Sequence, residues 1–474
     1  MQSAKVLALD GSAVNVSESA LQELSGRLRG SLAFQGDSEY EHVRTIWNAM
    51  IDRRPGLIAR CLGASDVKHV VDFARKSNLV VSIRSGGHNI AGSGLSDGGL
   101  TIDLSRMRSV RVDPASRTAW VDPGNTLGDF DREAQTFGLA TPLGINSTTG
   151  IAGLTLGGGF GWLTRKYGMT VDNLISADMI TADGEFLKAN EEDHADLFWA
   201  LRGGGGNFGV VTSFEFRLHE VGPQVLAGLI VYPFDQAGSV LRQYREFVAQ
   251  APDELSVWVV LRKAPPLPFL PEQVHGTEVL VLALLYAGDL DRGQQLIEPL
   301  GSFGTPIAQA VAPQEYSAFQ TAFDPLLTPG ARNYWKSHDF SELSDGALEV
   351  LIDYASKLPS PECEIFVASL GGAMARVPSD RTAYVQRNTR FVVNVHGRWR
   401  DPGQDDEGIA WARGFFEASA PYSLGTGYVN FMTEEEKGRV EAAYGQNYQR
   451  LAELKKKYDS RNLFRLNQNI RPKS

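Results

Sequence analysis

Three glycine clusters in the first 210 residues, one of them holding a histidine, constrain this chain more than any other feature. They read RSGGHNIAGSG (84–94), TTGIAGLTLGGGFGWL (148–163) and RGGGGNFG (202–209). Glycine is costly to order, so such clusters imply tight turns or backbone brought against a ligand. Successive N–H groups in glycine turns form anion-binding nests, and two such loops suit a dinucleotide. The third cluster holds a literal G-x-G-x-x-G at Gly204, Gly206 and Gly209. In a nicotinamide-binding unit that pattern follows a strand and opens a helix. Here HADLFWALR before it reads as helix and VVTSFEFRL after it as strand. The reversed order argues against that use.

The chain has 474 residues, enough for two or more domains of about 100 to 200 residues each. A net charge of -10 argues against nucleic acid as a partner, because phosphate binding needs clustered Lys and Arg. Two cysteines, Cys61 and Cys363, sit far apart in apolar segments and read as buried thiols. No metal site is indicated. The N-terminus lacks the basic start and apolar stretch of a signal peptide, and VLVLALLYAG (279–288) is strand-length. No membrane span is expected, and a cytoplasmic location is the default.

Residues 17–29 and 38–51 read as helices, the first with Ser19 as N-cap and Gln22 three residues on. SDVKHVVDFARKSN presents Val67, Val70, Val71 and Ala74 on one face, behind Ser65 as cap. Up to about residue 220 strands and helices mix. Beyond it, QVLAGLIVYPF, LSVWVVLRK, TEVLVLALLYAG, CEIFVASLGGA and RFVVNVHGRW are long strand candidates interleaved with helices near 236–250 and 341–357. This is the pattern of an antiparallel sheet covered by helices. KAPPLPFLPEQ (263–273) must be a loop, and a long polar helix is expected over 434–457. The fold class is α+β.

His88, directly behind Gly86 and Gly87, carries the chemistry of the first cluster. A neutral imidazole nitrogen is a good nucleophile, and the 8-methyl carbon of an isoalloxazine becomes electrophilic in its quinone-methide tautomer. Attack would tether a flavin and tune it as an oxidant.

Together, IRSGGHNIAGSG, GLTLGGGFGWLTRKYGMTVDNL, DLFWALRGGGGNFGVVTSFEF and the ending AYGQNYQRLAELKKKYDSRNLFRLNQNI resemble the berberine bridge enzyme-like FAD-linked oxidases. These belong to the vanillyl-alcohol oxidase/p-cresol methylhydroxylase (VAO/PCMH) superfamily, and the resemblance runs from about residue 36 to 472. It implies a two-domain fold: an FAD-binding part at 1–220, a substrate-binding part at 221–430, and a segment at 431–474 returning to the FAD part. It makes His88 the 8α-histidyl attachment point. Arg84, Ser85, Gly86, Gly87, Asn89, Gly92 and Ser93 would line the cofactor. So would Gly150, Gly153, Gly157, Gly158, Gly159 and Gly161, then Gly209, Val210 and Val211, and finally Asn467 and Asn469.

Three departures from the family pattern are informative. Asn146 in GINSTTG stands where many members carry a second, cysteinyl tether, so one covalent bond is expected, as in the branch that includes 6-hydroxynicotine oxidase. Thr149 occupies the family's oxygen-gating position and is nearly the shape of valine, which favours O2 as acceptor. The family's Y-x-N-Y stretch reads YVNF (428–431), so Phe431 replaces the tyrosine that often accepts the proton. Either another group takes that role or the substrate needs little help in losing its proton.

Period-two alternation along RFVVNVHGRW puts Phe391, Val393 and Val395 on one face, and Asn394 and His396 on the face expected to roof the flavin. His396 has the pKa for general-base work. Tyr428 is a candidate proton relay and Asn430 a candidate contact; Tyr334, Trp335 and Lys336 are candidate substrate groups. The direction of Glu364 is ambiguous. The expected reaction is hydride removal from a C–H next to O or N of a small molecule, with O2 reduced to H2O2. A dehydrogenase with another acceptor, a sugar oxidase and a non-redox cyclase are the alternatives.

Overall fold

The computed structural model describes residues 3–473. A four-stranded sheet runs in the order Ser31–Ala33, Leu57–Arg60, Leu100–Asp103, Val81–Arg84, its last three strands parallel. Helix Ala64–Lys76 supplies the crossover a parallel pair requires. Its Val67, Val70, Val71 and Ala74 are buried as their spacing predicts, in one core with Leu57, Ile102, Ile180 and Val210. An antiparallel five-stranded sheet follows, in the order Phe186–Ala189, Leu174–Thr181, Gly209–Arg217, Thr118–Val121, Val110–Asp113.

The largest sheet has seven antiparallel strands, in the order Ala308–Glu315, Gln224–Pro233, Glu278–Tyr286, Leu255–Lys263, Glu364–Ser369, Phe391–Trp399, Arg332–Phe340. Alternation sorts its side chains into two faces. Val257, Val259, Leu280, Leu282, Ile365, Val393 and Val395 pack under the helices Ala237–Gln250, Asp345–Ala355 and Asp405–Ser419. Trp258, Ala283 and Val392 face the other way, onto Phe160, Trp162 and Tyr428 from outside the sheet.

All five strand candidates beyond residue 220 are present, and the stretch 263–273 is a loop with one 3-10 turn beginning at its end. Helix Ala195–Leu201 precedes the third glycine cluster and strand Gly209–Arg217 leaves it, the reverse of a nicotinamide-binding turn. Several helix boundaries differ from expectation. The first helix spans Glu18–Arg27 and is capped by Ser17, whose side chain accepts from the Ala20 N–H, while Ser19 only meets the Ser17 hydroxyl. Gly63, not Ser65, precedes the helix at Ala64.

The stretch 38–51 is helical only over Tyr40–Arg44, because Ile46, Trp47 and Asn48 leave the helix to bury themselves. Asn48 then bridges to Ile90 and Asn333. The expected helix over 434–457 is broken at Gly445, whose φ of +49° no helix accommodates. Its regular part is Tyr448–Tyr458. Cys61 and Cys363 are free and buried, and burial pushes the Cys363 thiol up to about 11.

Candidate active site

One cavity of about 380 Å³ runs between the glycine loops and the seven-stranded sheet, within the size range of small-molecule sites. The loop after strand Val81–Arg84 and the turn before helix Ile151–Leu156 form one wall. They interlock through bare backbone: a Cβ on Gly86 would lie 2.5 Å from both Cα and N of Gly150. Gly153 and Gly206 also line the cavity, and a Cβ on either would meet nothing within 4 Å. Side chains there would only fill space that the backbone leaves open.

His88 faces this cavity with its ring stacked on Trp47, centroids 5.0 Å apart. Burial lowers its pKa to about 3, so the imidazole is neutral. Its Nε2 lies 3.0 Å from Thr148 Oγ1, which donates in turn to Asn146 Oδ1 at 2.7 Å. The Thr148 backbone N–H also donates to Asn146 Oδ1, at 3.0 Å, which fixes the amide orientation. With the Thr148 proton committed to Asn146, Thr148 Oγ1 accepts from His88, so Nε2 carries the hydrogen and Nδ1 keeps its lone pair. Asn146 thereby sets the histidine tautomer through Thr148.

Facing the loops is a set of groups from four adjacent strands. His396, Glu364, Arg262 and Trp335 all line the cavity. Glu364 Oε2 accepts from Arg262 at 2.8 Å, and Oε1 lies 3.3 Å from His396 Nδ1. Burial alone would raise Glu364, but the Arg262, His396 and Arg398 charges hold it below the usual carboxylate range. His396 is lowered by burial, opposed by Glu364. Asn333 donates to Ala331 and accepts from Arg398 on Oδ1, so His396 Nε2, 3.1 Å from that oxygen, is a donor. In neutral His396 the Nδ1 lone pair and the Glu364 carboxylate then converge with no proton between them, and the pair attracts one.

Tyr428 closes the site beside Phe160 and Phe431. Its hydroxyl accepts from Gly159 N–H at 2.9 Å and from Asn430 Nδ2 at 3.0 Å. Burial nevertheless pushes it up to about 12, so it is a phenol at neutral pH and its own proton remains available to donate. Trp335 Nε1 is buried without a partner.

Not all expected residues reach the cavity. Arg84, Ser85, Gly86, Gly87, His88, Asn89, Ser93, Asn146, Thr149, Gly150, Gly153, Gly209, Val210, Val211, Asn467, Tyr428, Asn430, His396 and Trp335 line it. Gly157, Gly158, Gly159 and Gly161 lie beneath instead: Gly157 leaves room for the Asn430 amide, Gly158 packs on Tyr384, Gly159 on Thr170 and Gly161 on Leu143. Gly92 packs on Ile51, and Asn469 also stays off the wall.

Tyr334 and Lys336 alternate with Trp335 onto the opposite face. There Tyr334 bonds to Glu435 and Arg413, and Lys336 pairs with Glu435 and Glu436. Asn394 lies on the expected face yet behind the wall, with both amide atoms buried and unpartnered. Sequence reasoning missed Trp47, hidden in an expected helix, and Arg262 and Glu364, whose strand facing only register with His396 decides.

The chain matches the family model described as FAD binding domain over residues 55–190, and that described as berberine and berberine like over 427–471. An FAD-linked oxidoreductase of Dictyostelium discoideum is 32% identical over 95% of this chain and 97% of its own length. This chain belongs to the berberine bridge enzyme-like FAD-linked oxidoreductases. (R)-6-hydroxynicotine oxidase of Paenarthrobacter nicotinovorans is 29% identical, over 94% of this chain and 97% of its own. Among solved structures, 6-hydroxy-D-nicotine oxidase from Arthrobacter nicotinovorans superposes with a TM-score of 0.83 at 29% identity, covering 94% and 98% of the two chains. Chitooligosaccharide oxidase gives 0.84 at 25%, covering 96% and 100%. The fold of this oxidoreductase is thus of the VAO/PCMH type.

FAD fits the residues present. The open backbone at Gly153 and Gly206 admits a flat or phosphorylated group at close range. The Asn467 Oδ1 atom is buried without a protein partner while its Nδ2 is held by Gly206 O and Phe464 O, both at 3.0 Å. Among the described residues of this oxidoreductase no helix is long and apolar enough to cross a membrane, and no cluster of His, Cys, Asp or Glu could hold a metal ion.

Proposed function

We propose that this flavoprotein is an oxidase tethered to FAD by a single bond from His88, acting on a C–H beside oxygen or nitrogen of a small molecule. The observation that carries the reading is that one cavity is lined at once by neutral His88 and by the Glu364–His396 pair. When bound, FAD accepts the hydride and passes the electrons to O2, giving H2O2.

His88 presents Nδ1 for attachment, because Thr148 and Asn146 hold the proton on Nε2. Asn146 cannot form a second tether. At the sheet, the Glu364 carboxylate takes the proton of the substrate's hydroxyl or amine and passes it to the facing His396 Nδ1, so that the pair holds it between them. Arg262 keeps the carboxylate ionised and aimed. Tyr428, fixed by Gly159 and Asn430, donates a hydrogen bond to the reacting heteroatom. Phe160, Phe366 and Phe431 exclude water around them. Thr149, which lines the cavity and is nearly the shape of valine, is the residue that would admit O2.

Mass spectrometry of peptides from denatured protein tests the tether: flavin is expected on the peptide containing His88 alone. Anaerobic mixing with alcohols, amines and phenols, followed by air, tests the rest. Bleaching of the oxidised band and its rapid return are expected. Absence of bleaching with every class would remove hydride transfer, and slow return in air would replace oxidase by dehydrogenase.

A further inference from the structure

The cavity does not end at the reacting groups. Past Arg262 it continues across the sheet toward the loop between strands Leu255–Lys263 and Glu278–Tyr286. Its floor is a row of cross-strand neighbours, Phe366, Val260, Val281 and Val231, each in register with the next, the outer two sharing a buried apolar cluster with Ala264 and Leu270 of the loop. Three interstrand steps make the row about 14 Å long. Pro265, Leu267, Phe269 and Leu270 from the loop line the same cavity.

The loop is pinned at its base, where Ala264 N–H donates to Thr277 O and Gly276 N–H to Ala264 O, both at 2.8 Å. At its tip Phe269 is 38% exposed, a large apolar side chain at the outer end of an apolar passage. No side chain of the row can hydrogen-bond, while Glu364, Arg262 and His396 stand at the inner end. A chain of sugar hydroxyls laid along this row would lose its water without replacement partners, which is unfavourable. A hydrocarbon chain would gain at every carbon.

We propose that this passage is a subsite for an apolar tail of the substrate: the substrate is an amphiphile, with its oxidisable O- or N-bearing head at Glu364–His396 and a decyl-sized hydrocarbon tail running to the loop at 264–276. This rests on the assignment of the inner cavity as the flavin-side substrate site.

The test titrates the holoenzyme with 4-alkylphenols, from methyl to decyl, and reads the perturbation of the flavin absorption band. The dissociation constant is expected to fall about threefold to fourfold per added methylene until the passage is full. In Leu270→Ser the long members are expected to weaken about tenfold while 4-methylphenol binds unchanged. Val281→Gln, from the opposite wall, should flatten the series in the same way, so a folding failure of either variant leaves the other to decide. Affinity independent of chain length, or an undiminished gain in a folded variant, overturns the tail subsite while the flavin site stands. If no member perturbs the band, 4-methylphenol included, the assignment of the inner cavity fails and the tail subsite with it.

Discussion

Glu364 Oε1 and His396 Nδ1 lie 3.3 Å apart on neighbouring strands, directly opposite each other in register. Both atoms carry lone pairs when His396 is neutral, so the contact becomes favourable on gaining a proton. That is the property a base needs, and it is why the proposed function gives this pair the role that Phe431, with no titratable group, cannot fill.

Replacing Glu364 by Gln, or His396 by Ala, should slow anaerobic flavin reduction by about 10²- to 10⁴-fold, with the flavin spectrum retained. Burial outweighs Glu364 and sets the His396 pKa below its ordinary 6.5, so the base form predominates at neutrality. The reduction rate should be flat through pH 7 and fall only as pH drops below that value. Stopped-flow traces across pH 5 to about pH 8 check both expectations.

Thr148→Val removes the acceptor for the His88 Nε2 proton. The tautomer preference then loosens by the worth of a buried hydrogen bond, about 1 kcal/mol. Covalent flavin incorporation should slow about fivefold, measured as flavin that co-precipitates with acid-denatured protein over time. His88→Ala should leave none.

Gly86→Ala places a methyl against the Gly150 backbone, which has no flexible end to yield. The two loops must separate, and FAD content per chain should fall sharply at unchanged secondary structure by circular dichroism. Gly153→Ala meets no protein atom, so its fold should survive while FAD content still falls.

Asp131 is buried with Gln320 Nε2 as its donor at 3.0 Å, and burial pushes its carboxyl up to about 7. A carboxyl raised on folding holds its proton more tightly in the fold. Its contribution is therefore complete below the ordinary value of 3.8 and is lost as pH climbs to about 7. Asp131→Asn should raise the melting temperature at pH 8 by a few degrees and change it little at about pH 4, in paired thermal melts.

The strands of the large sheet were legible because their period-two patterns are long and apolar, and His396 landed on the inward face for the same reason. The loop at His88 was legible because glycines flank it. The site's remaining members were hidden where facing depends on pairing. Glu364 faces His396 only because its strand pairs antiparallel with that of His396, and Trp335 is inward while Tyr334 and Lys336 are outward through the register of one edge strand. For the glycines at 157–161, composition cannot distinguish a backbone that approaches a ligand from one that approaches Asn430, Tyr384 or Leu143. Trp47 was lost inside an expected helix whose apolar residues had tertiary partners instead.

Lys455 and Asp459 form a fully buried pair, and Lys455 also donates to Asn207 O at 2.6 Å and Phe464 O at 2.9 Å, holding the segment that carries Asn467 against the third glycine cluster. A chamber whose third glycine cluster is closed by a segment 261 positions further along the chain cannot be complete while that chain is still being made. Stable flavin capture is therefore expected only once the C-terminal segment is in place. A ribosome-stalled chain ending before residue 455 should emerge colourless, however well its first two sheets have formed.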